Sequence, residues 1–172
     1  MAAKEIKMKK KNLKLFIVLL LMTVVATPTF AGDFQDASGE YCFTQLPEDV
    51  RFAGPNLIEH VSGINEFSGT LTGTGTEYGR VMLFDFPEGF WLGKINIHLE
   101  DATVDDANGE LFILLKVSTP NGFVGMGGTW LITGGTGGLK GLRGGGSWSG
   151  PGVNDFGQET CANYGGSIHF EP

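Results

Sequence analysis

The residues best placed to do chemistry are His98 and Glu100, in the stretch Lys94-Ile95-Asn96-Ile97-His98-Leu99-Glu100. On a β-strand successive side chains alternate faces, so Ile95, Ile97 and Leu99 share one face and Lys94, Asn96, His98 and Glu100 the other. If turned inward, the His98–Glu100 pair would be a candidate catalytic acid–base couple, because burial raises a carboxyl pKa toward a working range. The aliphatic face is better suited to a packed interior, and the pair is therefore expected to point outward.

Other constellations are weaker. His60, His98 and His169 fall on three separate predicted strands, each alternating, where a solvated face is the ordinary explanation; no metal site is expected. Asp101, Asp105, Asp106, Asn108 and Glu110 form an acidic turn whose spacing does not fit an EF-hand loop. There is no Gly-x-Ser-x-Gly elbow for serine hydrolase chemistry. Trp91, Trp130 and Trp148 are the candidate ligand-binding aromatics, with core packing as their ordinary role. No cofactor is expected. Cys42 and Cys161 are the two cysteines of the chain. In an oxidising compartment an even pair reads as a disulfide, the alternative being two buried thiols.

That compartment is suggested by the first residues. Lys4, Lys7, Lys9, Lys10, Lys11 and Lys14 precede an apolar run from Leu15 to Val25, followed by Ala26-Thr27-Pro28-Thr29-Phe30-Ala31. A run of about eleven residues is too short to span a bilayer as a helix and suits a signal peptide, 1–31, cleaved after Ala31. The expected location is secreted or periplasmic, with a single domain over 32–172. That domain keeps six of the twelve basic residues and eighteen of the nineteen acidic ones, a net charge near −12. Such a surface repels phosphate backbones, and no Lys/Arg cluster stands out along the sequence, so nucleic acid is not an expected partner.

The elements that must position these residues read as strands. All 28 glycines lie beyond residue 31, and apolar or alternating runs stand between turn signals with no sustained helical period. Strands are predicted near 40–45, 57–62, 66–72, 79–86, 90–100, 110–118, 124–133, 139–149 and 164–170. Turns are predicted at Pro87-Glu88-Gly89, at Thr119-Pro120-Asn121-Gly122 and, as a type I′ hairpin, at Asn108-Gly109. Short hairpins in series imply an up-and-down meander, and about eight strands favour a small closed antiparallel barrel that leaves no exposed edge. Leu111 to Leu115 is apolar on both faces, as in a strand that also meets an oligomer interface or a covering segment.

The most distinctive segment is Gly128-Thr129-Trp130-Leu131-Ile132-Thr133-Gly134-Gly135-Thr136-Gly137-Gly138-Leu139-Lys140-Gly141-Leu142-Arg143-Gly144. Its centre resembles the nucleotide-binding turn of short-chain dehydrogenases. Yet Gly141-Leu142-Arg143-Gly144-Gly145-Gly146 cannot supply the helix that such a turn needs, and too little chain follows for further βαβ units. The segment also resembles the strand–turn–strand of the allene oxide cyclase and dirigent barrel superfamily. There Gly134, Gly135 and Gly137 would permit a tight hairpin, and Gly141 and Gly144 would let a curved strand turn a barrel corner.

The resemblance implies an eight-stranded barrel and, as in secreted dirigent-like proteins, a disulfide between the N- and C-terminal parts, here Cys42 and Cys161. The close match covers about seventeen residues, and the lumen residues of the plant enzymes do not align. The leading expectation is an exported barrel of unassigned activity that binds a small hydrophobic or phenolic ligand in its lumen. One alternative, which the resemblance implies, is an isomerase of the allene oxide cyclase type. Another is a small outer-membrane barrel, suggested by Asn163-Tyr164-Gly165-Gly166-Ser167-Ile168-His169-Phe170, although Glu171-Pro172 follow the phenylalanine and stable membrane insertion is not expected.

Overall fold

A computed structural model describes residues 33–87, 89–120, 124–152 and 157–171. The segment 1–31 and parts of the turns at 87–89 and 119–122 lie outside the described residues. Period-two alternation runs through eight strands: β1 (Gln35–Ala53), β2 (Asn56–Gly69), β3 (Gly73–Leu83), β4 (Phe90–Val104), β5 (Ala107–Pro120), β6 (Gly125–Gly135), β7 (Leu142–Pro151) and β8 (Glu159–Phe170). Each pairs antiparallel with the next, and β1 also pairs with β8, closing an up-and-down barrel with no free edge.

Register carries alternate side chains into the lumen. Ile95, Ile97 and Leu99 of β4 and Leu111, Ile113, Leu115 and Val117 of β5 are all buried there. Cys42 and Cys161 stand directly opposite one another across the β1–β8 seam and are joined as a disulfide. A disulfide is compatible with an oxidising compartment.

The strand boundaries differ from expectation in informative places. The strands expected at 57–62 and 66–72 are one, β2. Gly63, which reads as a break, lies inside it, and a Cβ there would sit 2.3 Å from the Thr44 carbonyl oxygen of β1. The strand expected at 139–149 begins at Leu142, after a single 3₁₀ turn over Gly137–Leu139. The hairpin expected at Asn108-Gly109 turns instead at Asp105-Asp106, since Val104 pairs with Ala107 and Thr103 with Asn108. Asp105 itself adopts the left-handed region, at φ 50°. The Asn108 side chain is engaged within the ladder, accepting from the Thr103 hydroxyl at 2.7 Å.

One end of the barrel is stoppered. The 3₁₀ turn drives Leu139 inward beside Leu71, Leu99, Leu111 and Leu142, all five with no exposed surface. Burying each leucine fully contributes about 2 kcal/mol. The connection from β6 to β7 is therefore a plug and not a tight hairpin, and it needs left-handed backbone at Gly137 (φ 58°) and Gly141 (φ 85°). The Gly137→Ala variant is expected to lose at least about 1–2 kcal/mol, the cost of a left-handed non-glycine residue, because its Cβ would also sit 2.8 Å from the Asn108 carbonyl oxygen; the loss is read as a lowered urea midpoint. Near the same end, Trp130 Nε1 donates to the Gly165 carbonyl at 3.1 Å. The Leu71 amide donates to the Tyr164 hydroxyl at 2.9 Å.

Candidate functional site

Toward the opposite end, where β3 passes to β4 and β5 to β6, the lumen holds a small chamber. Its walls include Phe43, Val61, Val81, Trp91, Met126 and Trp148, with Tyr41, Gln45 and Glu59 as its polar members. The cavity is about 20 Å³, room for a single water molecule.

Two carboxylates point into the barrel interior. Glu77 on β3 is 2 % exposed and accepts hydrogen bonds from the Tyr41 hydroxyl and the Gln45 amide, both on β1. Burial pushes its pKa up to about 6, against the lowering effect of the Tyr41 and Gln45 hydrogen bonds and of the neighbouring Asn65. Asn65 is itself buried, and neither of its amide atoms completes a hydrogen bond of ordinary geometry. Tyr41 is pushed well above the usual phenol range, first by burial and then by the negative charge of Glu77. Its ring is fixed by Phe43 and Phe67, each with centroids at 4.9 Å.

Glu59 on β2 is 6 % exposed and lines the chamber. Burial alone raises its pKa, and no hydrogen bond or ion pair holds it among the described residues. Glu77 is thus a saturated structural carboxylate, whereas Glu59 is an open one facing apolar walls.

The candidates named from sequence are distributed differently. His98 and Glu100 lie on the outer face of β4. His98 stacks on Phe112 with ring centroids 4.7 Å apart, its Nε2 lying 3.8 Å from Glu110. Glu100 sits exposed at a bulge between Leu99 and Ala102. Trp91 and Trp148 line the chamber, but Trp130 is directed to the stoppered half. In the glycine motif, Gly137 and Gly141 take positive φ, Gly135 and Gly144 approach neighbouring backbone closely, and Gly134 has only the Phe112 ring at 3.7 Å near its missing Cβ.

The three histidines are not gathered among the described residues. The grouping of potential metal donors found there is Glu40, Cys42 and Cys161, whose sulfurs are bonded to each other. In the acidic turn, Asp101 accepts from the Thr74 amide at 2.7 Å, which holds its carboxyl below the usual range.

Sequence reasoning missed Glu59, Glu77, Gln45 and Asn65. A signal was present for Glu59, which shares its strand face with Leu57 and Val61. Glu77 likewise alternates in phase with Val81 and Leu83.

The class these features define is a closed, eight-stranded antiparallel barrel with one stoppered end and a chamber near the other. No family model matches the sequence, and no curated protein matches it. Among solved structures, the chain is similar to a protein of unknown function from the DUF3224 family of Shewanella oneidensis MR-1. The TM-score is 0.59 at 17% identity, over 81% of this chain and 99% of that one. At that identity the likeness speaks of the fold alone. A pterocarpan synthase dirigent protein aligns with a TM-score of 0.49 at 12% identity, over 86% of this chain and 94% of that one.

Proposed function

We propose that this protein is an exported barrel that binds a small, largely hydrophobic molecule bearing a phenolic hydroxyl, with Glu59 as the group that accepts the hydroxyl proton in a hydrogen bond. The observation that carries the reading is Glu59, a buried residue whose carboxylate has no protein hydrogen-bond partner among the described residues, on the wall of an apolar, tryptophan-bearing chamber. One water at most fits beside it, which leaves a carboxylate in such surroundings short of hydrogen-bond donors. A ligand hydroxyl supplies the missing hydrogen bond while its ring replaces water against Trp91 and Trp148. A cavity of about 20 Å³ requires side chains to yield, and Met126, unbranched and 8 % exposed, is the adaptable wall. The basic and apolar leader and the Cys42–Cys161 disulfide support export. A membrane-spanning barrel would place its apolar residues outside, the reverse of the alternation in β4, where Ile95, Ile97 and Leu99 are buried and Lys94, Asn96 and Glu100 exposed.

An isomerase of the allene oxide cyclase type is the second reading, favoured by one observation: a carboxylate with a raised pKa lies beside an apolar chamber. Glu59, and not the saturated Glu77, would be its base. Tryptophan fluorescence tests the first reading. 4-Propylphenol is expected to quench Trp91 and Trp148 and to bind about tenfold more tightly than propylbenzene, a difference of one charge-assisted hydrogen bond. The Glu59→Leu variant should erase the preference. Equal affinity for the two compounds, or a preference that survives in Glu59→Leu, would sink the proposal.

A further inference from the structure

The barrel exterior carries a feature that the linear sequence hides. Residues 32–172 contain six basic side chains, Arg51, Arg80, Lys94, Lys116, Lys140 and Arg143. Three of them meet in one row. Arg80 of β3 lies directly opposite Lys94 of β4, and Lys94 directly opposite Lys116 of β5. His60 of β2 extends the row on the far side of Arg80. With adjacent strands about 4.8 Å apart, three cations fall within about 10 Å.

Like charges directly opposite across strands are destabilising. Arg80, Lys94 and Lys116 are all exposed, and none has a carboxylate partner among the described residues. An otherwise strongly acidic domain thus concentrates half of its cations where they repel one another.

Past His60 the row ends at Asp49 of β1, two strands from Arg80, and the residues flanking the three cations along their strands are largely apolar. On one side Met82 pairs with Leu92, and with Phe84 they form the floor of an open groove of about 550 Å³ that also includes Arg80, Lys94 and Lys116. This volume is within the range of small-molecule sites. On the other side of the row lie Tyr78, Leu114 and Leu131, of which Tyr78 is 60 % and Leu131 47 % exposed.

We infer that this groove is a second binding site, outside the lumen, for a small anionic amphiphile. Its carboxylate, sulfate or phosphate head lies across Arg80, Lys94 and Lys116, and its apolar body lies on Met82, Phe84 and Leu92. Other occupants fit less well. A second copy docked about a two-fold axis on this face would set one basic row against another. A polyanion or an anionic bilayer would have to approach a domain of net charge near −12, whereas a single small anion responds mainly to charges within a Debye length, about 8 Å.

Calorimetry with octyl phosphate below its micellar concentration tests this site, with octanol and inorganic phosphate as half-ligands. Octyl phosphate is expected to bind at least about tenfold more tightly than either, and to weaken with added salt. The variant carrying Arg80→Gln, Lys94→Gln and Lys116→Gln is expected to lose that advantage while keeping or raising its Tm, because repulsion is relieved. Glu59→Leu, which acts only in the lumen, should leave octyl phosphate binding unchanged. Octyl phosphate binding no tighter than octanol, or undiminished in the triple variant, would overturn the assignment. So would attachment to phosphatidylglycerol vesicles without binding of monomeric octyl phosphate.

Discussion

Replacing both Cys42 and Cys161 with serine is expected to lower stability by about 3–5 kcal/mol and Tm by about 10–15 °C. The bridge joins residues 119 apart in sequence, and the chain-entropy model assigns its largest effects to long closed loops. Its position strengthens the argument. β1 and β8 are the two strands that ring closure must bring together from opposite ends of the domain, and the sulfurs lie within their shared ladder. Without the cross-link, forming that seam requires closing a loop that contains the rest of the barrel. Differential scanning calorimetry of the double serine variant against the oxidised protein measures the loss, and a change under 1 kcal/mol would show that the seam holds without the bridge.

The second large effect concerns Glu77 and depends on pH. Its folded pKa of about 6 stands above the usual 4.5, so the folded state holds the proton more tightly than the unfolded chain. This contribution favours folding most below about pH 4.5, declines as pH rises toward 6, and is level above that. The rise from 4.5 to about 6 corresponds to roughly 2 kcal/mol. Glu59, also raised by burial, acts with the same sign. Glu77→Gln should therefore flatten the stability profile between pH 4.5 and 6 and leave the protein no less stable at pH 7.5, provided the Gln45 amide turns to present its oxygen. Tyr41→Phe removes a donor from the charged form and is expected to cost about 2–3 kcal/mol at pH 7.5, and less at pH 4.5. Urea midpoints at the two pH values check both variants, and a Tyr41→Phe penalty equal at both would mean the hydroxyl does not stabilise the carboxylate charge.

The all-β class, the ring of eight strands and the burial of Ile95, Ile97 and Leu99 were legible because period-two alternation is a local property. The site was less so. His98 and Glu100 attracted notice as neighbours of complementary chemistry, yet their face is the outer one. Glu59 and Glu77 are ordinary acidic residues in sequence and become unusual only when closure places both inside one lumen. The Asn108-Gly109 hairpin failed because local turn preference yielded to pairing, with Asp105 taking the left-handed backbone. The Arg80–Lys94–Lys116 row depends wholly on register between strands, which no single stretch of sequence encodes.

The leucine stopper has a kinetic corollary. A conduit needs two openings, and a tube blocked by Leu71, Leu99, Leu111, Leu139 and Leu142 is a blind cup. A ligand bound in the chamber as proposed would have to back out past the side chains it displaced, so a substitution at Met126 that speeds uptake should speed escape as well, changing residence time more than affinity.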